Sequence, residues 1–339
     1  MPLYLNDDQA MLRDTAREFM AAEGAIASQL RHWRDIGCKD GFGHGLWKQF
    51  AELGFTGILI PEDSGGMGLG HVEAGIVLEE IGRNLTPSPF LITAVAVVEA
   101  LKGTPHGSRW FPGILAGETV AALAVDEGPK HRPERIAMRA ERAGNGFRLS
   151  GDKQFVVQGA SADVVVVAAR AEEGLTLFAV EKGAAGLASE GVRLADASIG
   201  ARMRFDGVEV DADAVIGEVG GGEAVLGRVL DAGRAGAAAE LVGVGTAAMG
   251  MTVGYLKQRK QFGRAIGEFQ ALQHRSAHLY AELEIARAAT LKAQQLLDEG
   301  APEGAAMASV AKARAGRASQ LAVQEGVQMH GGIGMTDEY

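Results

Sequence analysis

Arg259-Lys260-Gln261-Phe262-Gly263-Arg264-Ala265-Ile266, continued by Phe269-Gln270 and Gln273, is the stretch on which the reading of this chain turns. It forms a glycine-punctuated connection between two long helical patterns. It gathers a guanidinium suited to a diphosphate, an aromatic face suited to a ring, and amides suited to base or ribose edges. A second stretch, Gln328-Met329-His330-Gly331-Gly332-Ile333-Gly334, closes the next helical pattern. Paired glycines after a helix let a ligand approach the backbone, with amide groups aimed at it. Both stretches also have a plain reading. An arginine and a packed phenylalanine are ordinary at a helix junction, and glycine past a helix end is a common stop.

Working outward, three long helices are predicted over 223–258, 267–299 and 304–329. In the second, Leu272, Leu279, Leu283, Ala286, Ala289, Ala293 and Leu296 make an apolar stripe. Small residues crowd all three and let helix axes approach closely, as in a bundle. From Glu118 to Val215 the period drops to two. Strands are predicted at Thr119–Val125, Ile136–Glu141, Phe147–Ser150, Gln154–Gln158, Val164–Ala169, Thr176–Val180 and Arg202–Val210. With no helix between them they suggest an antiparallel barrel or sandwich. Gly217–Gly222 has no βαβ unit around it and reads as a loop entering a helix.

Before Leu115 the pattern is helical again. Asn6 and Gln9 have capping spacing, and helices follow at Leu46–Leu53, Glu73–Gly82 and Pro89–Leu101. The glycines of Pro61–Gly70 mark a loop between them. The order α, β, α gives an α+β chain of three segments, residues 1–117, 118–217 and 218–339, the last a four-helix-bundle type.

The chain has 339 residues, 47% hydrophobic and 22% charged, with a net charge of −10. That balance argues against nucleic-acid binding. One cysteine, Cys38, excludes an internal disulfide and a cysteine-rich metal site, and no ligands stand at zinc spacing around His330. Acids occupy the N-terminus where a signal peptide would be basic, and the apolar runs Leu91–Val98 and Val164–Ala169 are too short to span a bilayer. A cytoplasmic protein with no membrane segment is the expectation.

The two opening stretches, in this order and separation, closely resemble the acyl-CoA dehydrogenases. The resemblance implies FAD bound across subunits. Arg259, Gln261 and Phe262 would hold the diphosphate and flank the cofactor. Ile266, Phe269 and Gln270 would approach the adenosine end, and Gln328, Gly331 and Gly332 would close the diphosphate site. It extends along most of the chain. Pro61–Leu69 is similar to the family's Pro-Glu-x-x-Gly-Gly loop, and Gly151-Asp152-Lys153-Gln154-Phe155-Val156-Val157 to its flavin-edge strand. The implied partners are an acyl-CoA substrate, an electron-transfer flavoprotein as acceptor, and further acyl-CoA dehydrogenase subunits in a dimer or tetramer. The implied setting is fatty acid or steroid side-chain β-oxidation.

Three departures accompany the likeness. The family's Thr-Glu-Pro-x-x-Gly-Ser-Asp loop is here Val125-Asp126-Glu127-Gly128-Pro129-Lys130-His131, acidic and then basic. Phe155 and Val157 stand in place of a tryptophan and a hydroxyl residue, so Val157 offers only its backbone. No catalytic base is found. The position before Arg234 is Gly233, and the sequence stops at Tyr339 before the family's other location. Asp231 and Arg234 read either as substrate-site residues or as a helix-surface ion pair at i, i+3. The activity expected is α,β-desaturation of an acyl-CoA thioester. The alternatives are a non-catalytic subunit that completes the FAD site of a heterotetramer, and an oxidase that uses oxygen.

Overall fold

In the computed structural model, which describes residues 3–336, the middle segment is one mixed eight-stranded sheet. Its strands are β1 (Ala121–Ala124), β2 (Arg139–Ala143), β3 (Gly146–Val157), β4 (Val164–Ala171), β5 (Gly174–Glu181), β6 (Leu187–Arg193), β7 (Ile199–Val210) and β8 (Val215–Ile216). The order is β6-β7-β3-β2-β4-β5-β8, with β1 also on β4. Most pairs are antiparallel, as expected. β1, however, runs parallel to β4, and β2 meets β4 in parallel at one position. No hairpin joins β1 to β4, so turn chemistry does not fix their direction. Side chains do: the Thr93 hydroxyl donates to Ala121 O (2.9 Å) and accepts from Ala121 N (3.0 Å), while Asp163 accepts from Val120 N (2.9 Å). The continuous run Val164–Val167 is buried throughout, as fits a strand covered on both faces.

The two strands expected at Phe147–Ser150 and Gln154–Gln158 are one strand, β3, twelve residues long. Gly151-Asp152, a pair with turn chemistry that separates the two expected strands, follows the first of two register shifts, and the second falls between Lys153 and Val156. Such irregularities bend a strand without ending it. The edge strand β6 was not expected, because its largely exposed, polar run lacks the alternation that marks a half-buried strand.

The chain divides into two compact units that each draw on separated stretches: Met1–Ala25, His71–Thr86 and Arg234–Tyr339 form one, Ile26–Gly70 and Pro87–Gly233 the other. The second unit contains the sheet and the short helices α2 (His32–Asp35), α3 (His44–Glu52), α5 (Val98–Leu101) and α6 (Pro105–Leu115). A cluster of rings, Trp47, Phe50, Phe55 and Phe90, fixes its helical part.

The first unit is helical: α1 (Asp7–Ala22), α4 (His71–Asn84), most of α7 (Gly222–Gln258), α8 (Gln270–Asp298) and α9 (Gly304–His330). Asn6 and Gln9 form the capping box at the start of α1. Ala238 and Val242 of α7 meet Leu279, Leu283 and Ala286 of α8 and a ladder of alanines on α9. Reciprocal glycines bring α4 and α7 together. A Cβ on Gly82 would lie 2.1 Å from Glu240 O, and one on Gly243 would lie 2.0 Å from Glu79 O. The carboxylate of Asp298, at the end of α8, accepts from the amides of His71 and Val72 and so caps α4 from 227 residues away.

One expectation is corrected. By length and composition α7 reaches what a membrane span needs. Its valines, leucines and methionines are dispersed among alanines and glycines, so no continuous run of large apolar residues stands out. The same test is met by core helices, and α7 supplies Ala238 and Val242 to the helical core.

Candidate functional site

The deciding stretch folds into a hairpin between α7 and α8. The two-residue strands β9 (Lys260–Gln261) and β10 (Arg264–Ala265) pair around Phe262-Gly263. Both turn residues have positive φ, +55° and +81°, as a type I′ turn demands. Phenylalanine is an unusual choice for that conformation, which favours glycine or asparagine and strains a bulky residue. The turn leaves the Phe262 ring 90% exposed. Behind it, Phe269 lies 6.1 Å away edge-on and carries the Arg264 guanidinium over its face at 4.2 Å. Arg259 closes the hairpin, its carbonyl accepting from Ile266 N at 2.9 Å.

The second stretch arrives at the same place. Tyr255, one turn before Arg259, stacks on His330 with ring centroids 4.5 Å apart. His330 donates through Nδ1 to Gly326 O at 2.7 Å, which sets the ring's orientation. At the start of α8, Arg275 pairs with Glu325 at 2.6 Å. The hairpin, the start of α8 and the end of α9 therefore meet at one end of the helical unit. Arg259, Gln261, Phe262, Gln270, Gln328, Gly331 and Gly332 are exposed there, and Ile266 and Phe269 are half-buried. Gly331 has φ +62°, and a Cβ on Gly331 or Gly332 would meet nothing within 4 Å. Backbone conformation favours glycine at 331 and both positions leave open room, whereas a Cβ on Gly334 would lie 2.7 Å from Val327 O.

The strand likened to the family's flavin-edge strand belongs to the other unit. Phe155 sits in the β3 bulge with φ +54° and is 50% exposed. Val156 is buried, so its side chain faces the core, and Val157 is half-buried. Two residues before Phe155, the fully buried Lys153 donates to Val125 O (3.1 Å) and to Glu127 (2.8 Å). Glu127 also accepts from Ala137 N and Met138 N. Burial raises the Glu127 carboxyl, but Lys153 and the two amides outweigh it and hold the pKa below the ordinary value. Burial holds the Lys153 ammonium below its usual range, against the opposing pull of Glu127. Thus the loop that departs most from the family's sequence is tied to the strand below Phe155. Lys130, Arg132 and Arg135 line a hollow of about 220 Å³ beside it. Sequence reasoning assigned Lys153 and Glu127 no role. The available signal was a lysine inside a strand otherwise rich in core residues.

Asp231 and Arg234 are half-buried on successive turns of α7, and each already has an interaction partner. Between them, Gly233 opens onto empty space. Glu240 lies two turns further along on the same face, and burial raises its pKa to about 7. Sequence reasoning passed over it.

The fold and site can now be set against known proteins. Residues 6–118 match the model of the acyl-CoA dehydrogenase N-terminal domain, and residues 220–339 match that of the acyl-CoA dehydrogenase C-terminal domain. Acyl-CoA dehydrogenase FadE12 of Mycobacterium tuberculosis is 34% identical over 308 residues, covering 87% of this chain and 79% of that protein. The mitochondrial isovaleryl-CoA dehydrogenase of Solanum tuberosum is 32% identical over 312 residues, 87% of this chain and 74% of its own. Among solved structures, the ChsE4-ChsE5 complex from Mycobacterium tuberculosis superposes with a TM-score of 0.89 at 26% identity, covering 99% of this chain and 90% of that one. The chain belongs to the acyl-CoA dehydrogenase family of flavoprotein oxidoreductases.

Proposed function

We propose that this chain binds FAD and takes part in the α,β-desaturation of an acyl-CoA thioester. The observation that carries the reading is the convergence of Arg259, the strained Phe262 ring, Gln328 and two open glycines at one end of the helical unit. When bound, FAD supplies the acceptor for the β-hydride at its N5. Arg259 neutralises the cofactor's diphosphate, and the Gly331 and Gly332 amides approach it without steric hindrance. Phe262 is held ready for a ring, at the expense of a disfavoured backbone conformation. In the sheet unit, Phe155 offers a half-exposed aromatic face and Val157 a backbone edge. Lys130, Arg132 and Arg135 supply positive charge suited to the diphosphate of coenzyme A.

The α-proton needs a carboxylate. Position 233 is glycine, and Glu240 stands seven residues on, about 10 Å along the helix. A proton beside Gly233 is out of its reach. This favours a second reading, in which the chain completes the FAD site of a heteromeric acyl-CoA dehydrogenase whose partner provides the base. The likeness to the ChsE4-ChsE5 complex supports it. The acceptor on either reading is an electron-transfer flavoprotein, with oxygen as the alternative.

The test is the visible spectrum of the purified protein, alone and co-expressed with a second acyl-CoA dehydrogenase chain, followed by anaerobic titration with acyl-CoA. A yellow protein that bleaches unaided supports the first reading. Bleaching only with the partner supports the second. A protein that takes up no FAD in either state, or whose uptake is unchanged by Arg259→Ala, overturns both.

A further inference from the structure

The loop between β1 and β2 carries three acids, Asp126, Glu127 and Glu134, and three cations, Lys130, Arg132 and Arg135. The fold does not pair them off. Asp126 turns the first half of the loop back on itself. Its carboxylate accepts from His131 Nδ1 at 2.9 and 3.0 Å and from Arg132 N at 3.3 Å, the way short acidic side chains commonly close turns. Glu127 clasps the second half, accepting from Ala137 N on one oxygen (2.8 Å) and from Met138 N on the other (3.0 Å). Both acids are tied to β3 as well, Asp126 through its carbonyl to Gln154 N at 2.7 Å and Glu127 through Lys153.

The cations are left over. Among the described residues the side chains of Lys130 and Arg132 make no ion pair or hydrogen bond, and Arg135 has only its exposed neighbour Glu134, at 3.9 Å. All three line the hollow of about 220 Å³, and so does Glu127. An ionised carboxylate in the wall of an anion site repels the anion. Glu127 is ionised: burial raises its pKa, but Lys153 and the two amides outweigh burial and keep it below the ordinary value. The Lys153 ammonium, 2.8 Å away, cancels most of that repulsion. What remains is the clasp. It fixes the course of the chain between the cations, and a preorganised loop gives up less conformational freedom when a ligand arrives.

We propose that Glu127 is a positioning residue for a bound diphosphate: its clasp on residues 137 and 138 sets the shape of the hollow, and Lys130, Arg132 and Arg135 hold the anion. This rests on reading the hollow as the site of the coenzyme A diphosphate, and it names the residue that builds that site. Charge and clasp predict opposite signs for one substitution. Glu127→Gln removes a negative charge, which by itself tightens anion binding. Whichever way the new amide lies, it also turns an NH2 group toward one of the two backbone N–H groups and opens the clasp. With position dominant, the anion binds more weakly.

The experiment is calorimetric titration of the purified protein with inorganic pyrophosphate at low ionic strength. The wild type is expected to saturate at one pyrophosphate per chain. Lys130→Ala and Arg132→Ala should each weaken it about fivefold or more. Glu127→Gln should weaken it about threefold or more, with circular dichroism showing a folded protein. Should that variant not fold, Ala137→Pro decides, because it deletes one clasped N–H and no charge; it too should weaken pyrophosphate about threefold or more. The two ways of failing are distinct. No saturable binding, binding that Lys130→Ala and Arg132→Ala leave unchanged, or binding that Arg259→Ala abolishes would remove the diphosphate reading of the hollow and this assignment with it. Binding that depends on Lys130 and Arg132 but is unchanged or tighter in the clasp variant would leave that reading standing and overturn the positioning role.

Discussion

Phe155 and Phe262 share the same rare backbone conformation, φ +54° and +55°, in opposite settings. Phe155 rides on a bulged strand whose neighbours Lys153 and Val156 are buried, and its own ring is half-exposed. Phe262 caps a four-residue ladder with its ring almost wholly in solvent. A non-glycine residue in this region costs of order 1–3 kcal/mol and persists only where the surroundings enforce it. For Phe155 the enforcement is on the page: a twelve-residue strand and the Lys153–Glu127 pair beneath it. For Phe262 the hairpin enforces φ, yet nothing among the described residues covers the ring beyond Phe269 at 6.1 Å. The first is a finished platform. The second is half of a contact, whose other half the proposed function assigns to a cofactor or another subunit.

The largest expected effect breaks the platform. Lys153→Met leaves the Glu127 carboxylate without its cation, and removing one member of a buried pair costs about 3–5 kcal/mol. Glu127 keeps two amide partners and some solvent, so a loss of about 2–4 kcal/mol is expected in urea unfolding. Arg259→Ala, at the other site, should change stability by less than about 0.5 kcal/mol while abolishing FAD uptake. Equal stability effects from the two would erase the distinction.

Acid and base should separate the regions next. Glu127 has a folded pKa below its unfolded value, so its contribution is present above about pH 4.5 and is lost as pH falls through the folded pKa. Glu240, in the helical unit, has the opposite sign. Its pKa is raised to about 7, so the folded state binds more protons between pH 4.5 and 7 and stability falls as pH rises through that window. Because Glu240 keeps some solvent contact, Glu240→Gln should stabilise the protein by about 1–3 kcal/mol at pH 8 and by almost nothing at pH 4.5. Denaturation midpoints at the two pH values check the sign, and a variant less stable at pH 8 would remove the argument.

The smallest effect bears on the rings directly. Phe262→Gly relieves the backbone at no packing loss, so the ligand-free protein should be unchanged or more stable by up to about 1 kcal/mol. Phe155→Gly gives up a half-buried ring and should cost about 1 kcal/mol. Thermal unfolding of the ligand-free variants reads the difference, and FAD affinity should fall in both.

Much of this was legible in the chain. The long helices were readable because an apolar stripe repeated over many turns leaves little choice of period: 304–329 was expected and Gly304–His330 is found. The convergence of Arg259 with Gly331-Gly332 was legible only through resemblance, since no local pattern states that two helix ends 72 residues apart meet. The merging of two expected strands into β3 was hidden, because Gly151-Asp152 has the chemistry of a turn and only its pairing with Phe205 and Arg204 of β7 keeps it in the strand.

By itself the sequence determined the α–β–α order, the capping of α1 by Asn6 and Gln9, and the residue types gathered around the hairpin. These depend on periodicity and on groups three or four residues apart. Only the tertiary structure decided that β1 runs parallel to β4, that Asp298 caps α4, that Lys153 is buried against Glu127, and that Gln294 packs against Gly75. Each of these is a hydrogen bond, an ion pair or a close approach between residues far apart in the chain. Their energies depend on burial and distance, which the order of residues alone does not supply.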